Sequence, residues 1–301
     1  MKKILFRANS SSTIGTGHIM RDVVLAKKYA KKGHTVIFAT QNLDGNINDK
    51  ILDEGFSLEI LKSNSKKELK ELIKRLHIDF IVFDSYKIDD KFEKYIKEKT
   101  GVKILSFDDT YQKHYCDILL NHNISADKKK YKKLVPQNCK VKCGVKYTLL
   151  RDEFYKEKNK RYKPNKKFTF FVAMGGADTT NLNIKLLKIL KKFDNIKVNI
   201  VTTTANKNLQ ELKKYCKNKK WITLHVNSKK IAKLIKKSDY AIITPSVVAN
   251  ELYFMNKSFM AIKVVNNQMR MYSFLKNNGY SVLKKFDEFK IYINVKKYLN
   301  D

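Results

Sequence analysis

Cysteine is scarce in this chain. Its 301 residues carry four, Cys116, Cys139, Cys143 and Cys216, too few and too scattered to frame a fold of that length with disulfides. Cys139 and Cys143 stand four apart, which suits half a metal site, but no second close Cys or His pair follows. Neither a metal nor a cofactor is expected, and the thiols are read as reduced. No run of about 18 apolar residues occurs, so no membrane-spanning helix is expected. The opening Met1-Lys2-Lys3-Ile4-Leu5-Phe6 turns polar at Arg7, too soon for the apolar region of a signal peptide, and a cytoplasmic location is expected.

Arginine is scarce too. Against 29 acidic residues stand 63 basic ones, a net charge of +34, yet only Arg7, Arg21, Arg75, Arg151, Arg161 and Arg270 are arginine. Base readout and phosphate forks favour arginine, and specific nucleic-acid binders gather charge on one face. Here lysine is spread over every part of the chain. A specific nucleic-acid partner is therefore not expected. Salt-sensitive attraction of polyanions is, and a polyanion binder stays as a rival reading.

What the chain does have is apolar content, 43% of residues, enough for a real core in two ordinary domains. Strand and helix alternate almost from the start. Ile4-Leu5-Phe6 reads as a buried strand, His18 to Lys32 as a helix ended by Gly33, and Thr35 to Ala39 as the next strand. Apolar runs at Phe80–Phe83, Val102–Leu105 and Ile118–Leu120 continue the pattern. Residues 151–167 are charged, include Pro164, and read as a linker. Alternation restarts with strands at 168–173, 198–201, 222–226, 240–243, 261–265 and 281–283, and a helix near 287–299 closes the chain. The expected architecture is α/β, with two Rossmann-like parallel-sheet domains, 1–150 and 168–285, facing across a cleft, and a terminal helix over 286–301. In such sheets ligands sit beyond the carboxyl ends of the strands.

Three junctions carry chemistry. The first runs from Phe6 to Asp22 and is longer than a plain strand-to-helix turn requires. Met20 stands where a dinucleotide fingerprint needs its third glycine, and no Gly-Lys-Ser/Thr follows, so neither that motif nor a P-loop is present. Gly15 and Gly17 leave the backbone bare where a helix opens, which favours an anion. His18 sits at that opening, and histidine's titration near neutrality suits a general base. The second junction ends strand Phe170–Ala173 in Gly175-Gly176, which permits close backbone approach. The third, Thr244 to Glu251, places Ser246 as a helix cap with amides behind it for a phosphate, and Glu251 one turn on for a ribose diol.

Gly15-x-Gly17-His18-x-x-Arg21, Met174-Gly175-Gly176-x-Asp178 and Ser246-x-x-x-Asn250-Glu251 occur in that order. With them come Ser106-Phe107-Asp108-Asp109, Asp117-Ile118-Leu119-Leu120-Asn121 and Asn267-Gln268. As a set, over residues 1–285, they resemble the PseG family, UDP-sugar hydrolases of bacterial pseudaminic acid biosynthesis. The wider likeness is to MurG-like glycosyltransferases of the GT-B fold.

That resemblance implies metal-free removal of UDP from UDP-2,4-diacetamido-2,4,6-trideoxy-β-L-altropyranose, inverting the anomeric carbon. It implies that His18 is the base that activates water. Asn267 and Gln268 then lie near sugar and phosphates, Ser246, Val247 and Glu251 hold diphosphate and ribose, and the backbone near Val226 pairs with uracil. Gly15, Gly17, Arg21, Tyr86, Gly175 and Gly176 complete the expected substrate-binding set. A monomer is expected, with the UDP-sugar as partner. Where the family commonly has Asp-His-Tyr-Gly this chain has Asp84-Ser85-Tyr86-Lys87, and Asn9 replaces a usual Asp. Asp84 and Tyr86 are kept, so the departures bear on the sugar rather than the reaction. A glycosyltransferase of the same fold, passing the sugar to an acceptor instead of water, is the nearer rival.

Overall fold

The computed structural model describes residues 1–300. The chain forms two compact units, one from Met1 to Leu150 and the other from Arg151 onward. Asp301, the end of the expected terminal helix, lies outside the described residues.

In the first unit seven strands form one parallel sheet: β1 (Lys3–Ala8), β2 (Thr35–Thr40), β3 (Ser57–Ile60), β4 (Phe80–Asp84), β5 (Lys103–Phe107), β6 (Ile118–Asn121) and β7 (Lys140–Cys143). Their order is β3-β2-β1-β4-β5-β6-β7, so the winding reverses between β1 and β4. Helices α1 (Gly17–Ala30), α2 (Asn48–Asp53), α3 (Lys66–Leu76) and α4 (Asp90–Thr100) lie between the strands.

Alternation along the strands sorts the core into two layers. Ile4, Phe6, Phe38 and Val82 pack with Ile19, Val23 and Ala26 of α1. Leu5, Ile81, Phe83 and Ile104 pack with Leu69, Leu72 and Ile73 of α3 and Ile96 of α4. Ser65 caps α3 by accepting from the amides of Lys67 and Glu68. Gly33, at φ 79°, ends α1 where the sequence places the stop. The outer strands β3 and β7 escape the sequence reading because charged residues, Glu59, Lys140 and Lys142, interrupt their apolar runs, as edge strands allow.

The second unit carries a six-stranded parallel sheet: β8 (Phe168–Ala173), β9 (Ile196–Thr202), β10 (Ile222–Val226), β11 (Tyr240–Ile243), β12 (Phe259–Ile262) and β13 (Ser281–Leu283). The order β10-β9-β8-β11-β12-β13 reverses between β8 and β11. Its helices are α5 (Asp152–Lys158), α6 (Leu182–Leu190), α7 (Leu209–Cys216), α8 (Ile231–Lys237), α9 (Val247–Phe254), α10 (Met269–Asn277) and α11 (Glu288–Asn300).

Three details differ from expectation. The segment 151–167 opens with α5, whose Phe154 is fully buried, so its first half belongs to the second unit instead of bridging to it. Strand β12 ends at Ile262 rather than Val265, because Gln268 Oε1 accepts from the amides of Val264 and Val265 and turns the chain out of the ladder. Helix α11 is part of the core, with Ile291 and Val295 buried among the apolar side chains of that unit.

Candidate active site

Both reversals of strand order fall where the sequence motifs lie, and a reversal opens a crevice beyond the carboxyl ends of the strands. In the first unit the loop after β1 folds back on itself. Gly15, at φ 81°, donates its amide to Ser11 O at 2.8 Å, and the Ser11 hydroxyl accepts from the amides of Thr13 and Ile14. The loop delivers His18 to the first turn of α1, largely buried, with Nδ1 3.7 Å from Asp84 Oδ1 at the end of β4.

Arg21, one turn further, grips the same carboxylate. Its Nε and Nη2 donate to the two Asp84 oxygens at 2.6 Å each, and Nη1 donates to Asp109 Oδ2 at 3.1 Å. Its guanidinium also lies over the Phe107 ring, 5.0 Å from the centroid. Burial pushes the Asp84 carboxyl up, but the Arg21 charge and hydrogen bonds more than reverse this, so Asp84 titrates below its ordinary range. Tyr86 is exposed, donates to Asp109 Oδ1 at 2.8 Å, and sets its ring edge-to-face with His18 at 5.0 Å. His122, just past β6, is buried and held neutral: desolvation first, then the Arg21 charge, lowers it to about 4.

Of the expected residues, His18, Arg21 and Tyr86 thus meet in one constellation, flanked by Gly15 and Gly17. Arg21 directs all three of these hydrogen bonds to carboxylates of its own unit. Asp109 and His122 were not picked out as site residues by sequence, and Asp84 was noted only as retained. Asp84 had a signal, a lone carboxylate closing the apolar strand Phe80-Ile81-Val82-Phe83. His122 had none, since only sheet order brings it near.

In the second unit a cavity of about 210 Å³ opens at the ends of β8, β9 and β11, lined in part by Gly175, Gly176, Thr203, Ser246, Glu251 and Arg151. Gly175 has φ 88°, and a Cβ on Gly176 would stand 3.0 Å from the Thr203 side chain, so both positions favour glycine. Ser246 does not cap α9 as the sequence suggests. Its extended backbone turns the hydroxyl back toward Thr244, and the first amides of α9 receive no side-chain cap.

Glu251 sits among these groups with Oε1 held by Arg151 Nη2 at 3.1 Å. Burial raises its carboxyl to about 7, against the pull of Arg151. Arg151, read from sequence as linker charge, is instead the partner of both Glu251 and Glu153. Val226 ends β10, and Val247 is exposed on the first turn of α9. Asn267 and Gln268 form a short 3-10 turn, with Gln268 Oε1 holding the backbone as described above. The cavity gathers Gly175, Gly176, Ser246 and Glu251; its lining does not include Val226, Val247, Asn267 or Gln268. Cys139 has Cys116 as its sulfur neighbour at 3.7 Å.

No family model matches the chain. Among solved structures it is similar to Acinetobacter baumannii MurG, with a TM-score of 0.68 at 13% identity, covering 100% of this chain and 91% of that one. It is also similar to the spinosyn rhamnosyltransferase SpnG, with a TM-score of 0.69 at 10% identity, covering 100% and 92%. These likenesses define the class: two Rossmann-like parallel sheets of the GT-B glycosyltransferase type.

Within that class sequence identity is more specific. The chain is 42% identical over 284 residues to the UDP-2,4-diacetamido-2,4,6-trideoxy-beta-L-altropyranose hydrolase of Campylobacter jejuni, across 94% of this chain and 100% of that protein, and it belongs to that hydrolase family. An uncharacterized protein of Methanocaldococcus jannaschii is 29% identical over 265 residues, which make up 84% of this chain and 54% of that protein.

Proposed function

We propose that this protein hydrolyses UDP-2,4-diacetamido-2,4,6-trideoxy-β-L-altropyranose to UDP and the free sugar. The carrying observation is its identity with the Campylobacter jejuni hydrolase across that protein's whole length. The geometry supports a division of labour between two sets of residues. In the second unit the uncapped amides of α9 and the bare backbone at Gly175 offer donors to a diphosphate, and Glu251 offers an acceptor to a ribose diol.

In the first unit Nδ1 of His18 faces Asp84, which leaves Nε2 as the nitrogen for water. Water attacks the anomeric carbon as the bond from that carbon to the diphosphate oxygen breaks. His18 takes the proton of the attacking water, and the bonding electrons leave with UDP. Attack opposite the departing group inverts the centre. The leaving oxygen needs no proton from a raised-pKa acid, since amide donors stabilise the β-phosphate charge.

The test incubates the protein with the diacetamido UDP-sugar, with and without EDTA. UDP release with inversion is expected, unaffected by chelation. His18→Ala should lower kcat by about a hundred- to ten-thousand-fold. Release of UDP that requires a sugar acceptor would overturn hydrolysis in favour of glycosyl transfer.

A further inference from the structure

Asp22 stands one helical turn after His18, on the same face of α1, and is fully buried. Neither of its carboxylate oxygens receives a hydrogen bond from an N–H or O–H donor among the described residues. Its charged neighbours are Asp84, which it contacts, and Arg21. Arg21 offers Asp22 no hydrogen bond, since its fork is committed to Asp84 and Asp109.

Two ionised carboxylates in contact and away from water repel strongly, and neither can donate to the other. One proton resolves both problems, by turning one group into an O–H donor and leaving the other an acceptor. Which group keeps the charge follows from what faces each. Asp84 has the bidentate Arg21 fork, with His18 at 3.7 Å and His122 close by; Asp22 has none of these contacts.

We propose that Asp22 is a positioning residue for the hydrolysis, a carboxylic acid whose O–H donates to Asp84 and fixes the carboxylate that orients His18. Burial, and then the Asp84 charge, lifts Asp22 well above the ordinary carboxylate range, in keeping with this. The arrangement gives Asp84 two donor groups: the guanidinium of Arg21 and the acid of Asp22. Without the second donor Asp84 is held by the Arg21 fork alone, and the reference for the imidazole loosens.

The role in hydrolysis rests on reading His18 as the base, whereas the position of the proton does not, so the two are tested separately. Infrared difference spectra of the full chain, wild type minus Asp22→Asn, should show the carbonyl stretch of a protonated acid at pH 7. Absence of that band would place a charge on Asp22 and overturn the proposal.

Kinetics on the UDP-sugar follow. Asp22→Leu should lower kcat by about 10- to 100-fold with KM changed by less than about threefold, and should shift the pH profile of kcat. Asp22→Asn keeps an N–H donor toward Asp84 and should restore kcat to within about threefold of wild type. Equal losses in the two variants, or wild-type kcat in a folded Asp22→Leu, would refute positioning. Should Asp22→Leu fail to fold, the infrared band and the Asp22→Asn profile still decide. A band present in a protein that releases no UDP would remove the hydrolase reading and leave the proton on Asp22.

Discussion

His18 Nδ1 and Asp84 Oδ1 stand 3.7 Å apart, while Arg21 closes on the same carboxylate with two contacts of 2.6 Å. Asp84 therefore holds the histidine less tightly than it holds Arg21. A carboxylate fixed by a bidentate fork becomes the reference against which the ring is set, and small errors in such a reference are costly.

Asp84→Asn tests that dependence. The amide cannot accept both Arg21 donors without turning an N–H toward a cation, so the fork opens and Arg21 is left with Asp109 as its paired carboxylate. We expect kcat to fall by about 10- to 100-fold. Stability should fall as well, because the largely buried guanidinium then keeps Asp109 as its charged hydrogen-bond partner and loses the tighter one. Chemical denaturation and UDP-release assays measure the two effects, and a fully active Asp84→Asn would show that His18 needs no such partner.

Tyr86 offers two separable contributions. Its hydroxyl donates to Asp109 from an exposed side chain, a contact whose loss in Tyr86→Phe should cost about 1 kcal/mol or less. Its ring packs on His18, and Tyr86→Ala should remove that support and reduce kcat about tenfold. Equal activity of the Phe and Ala variants would show that the ring does nothing for His18.

The interior of the fold was legible because buried parallel strands are continuous apolar runs, as at Phe80–Phe83 and Phe170–Ala173. Edge strands were not, since charged residues interrupt the apolar runs of Ser57–Ile60 and Lys140–Cys143. Glycine was legible as a backbone signal at two of the three junctions, where Gly15 and Gly175 take φ of 81° and 88°. What sequence left unseen is pairing across long separations: Arg21 with Asp84, and Arg151 with Glu251 a hundred residues on. Local pattern holds no record of these contacts, because the sheet order brings them together. Arg151 shows the cost most clearly. In a charged segment it reads as solvated linker, yet it meets a half-buried acid.

Glu251 predicts a pH dependence for nucleoside binding. Burial lifts its carboxyl to about 7, with Arg151 lowering and Glu153 raising it further. A diol donates better to the ionised acceptor, so uridine, which carries no phosphate to titrate, should bind more tightly as pH rises from 6 to 8. Glu251→Gln should bind more weakly and lose the dependence. A pH slope in the variant equal to that of wild type, followed by calorimetry, would remove Glu251 from ribose recognition. Arg151→Ala should push the titration higher, since the charge that lowers it is gone.

His114 predicts a loss of stability in the first unit at alkaline pH. Its Nδ1 lies 2.8 Å from Glu93 Oε1, and Nε2 lies 4.0 Å from Asp108 Oδ1, too long for a hydrogen bond but close enough for charge. Burial alone would lower the imidazole, but Asp108 and Glu93 outweigh it and raise it to about 9. A histidine raised in the folded state binds its proton more tightly there than in the unfolded chain, whose ordinary value is near 6.5. Its contribution is therefore complete below about pH 6.5 and lost as pH climbs through 9, a change of up to about 3 kcal/mol. Urea titrations at rising pH should show stability declining over that window in wild type and much less in His114→Gln. Asp108 anchors the turn that carries Asp109 by accepting from the amides of Thr110 and Tyr111, so this decline should reach the Arg21 and Tyr86 contacts first. An identical decline in both proteins would assign the alkaline loss to other groups.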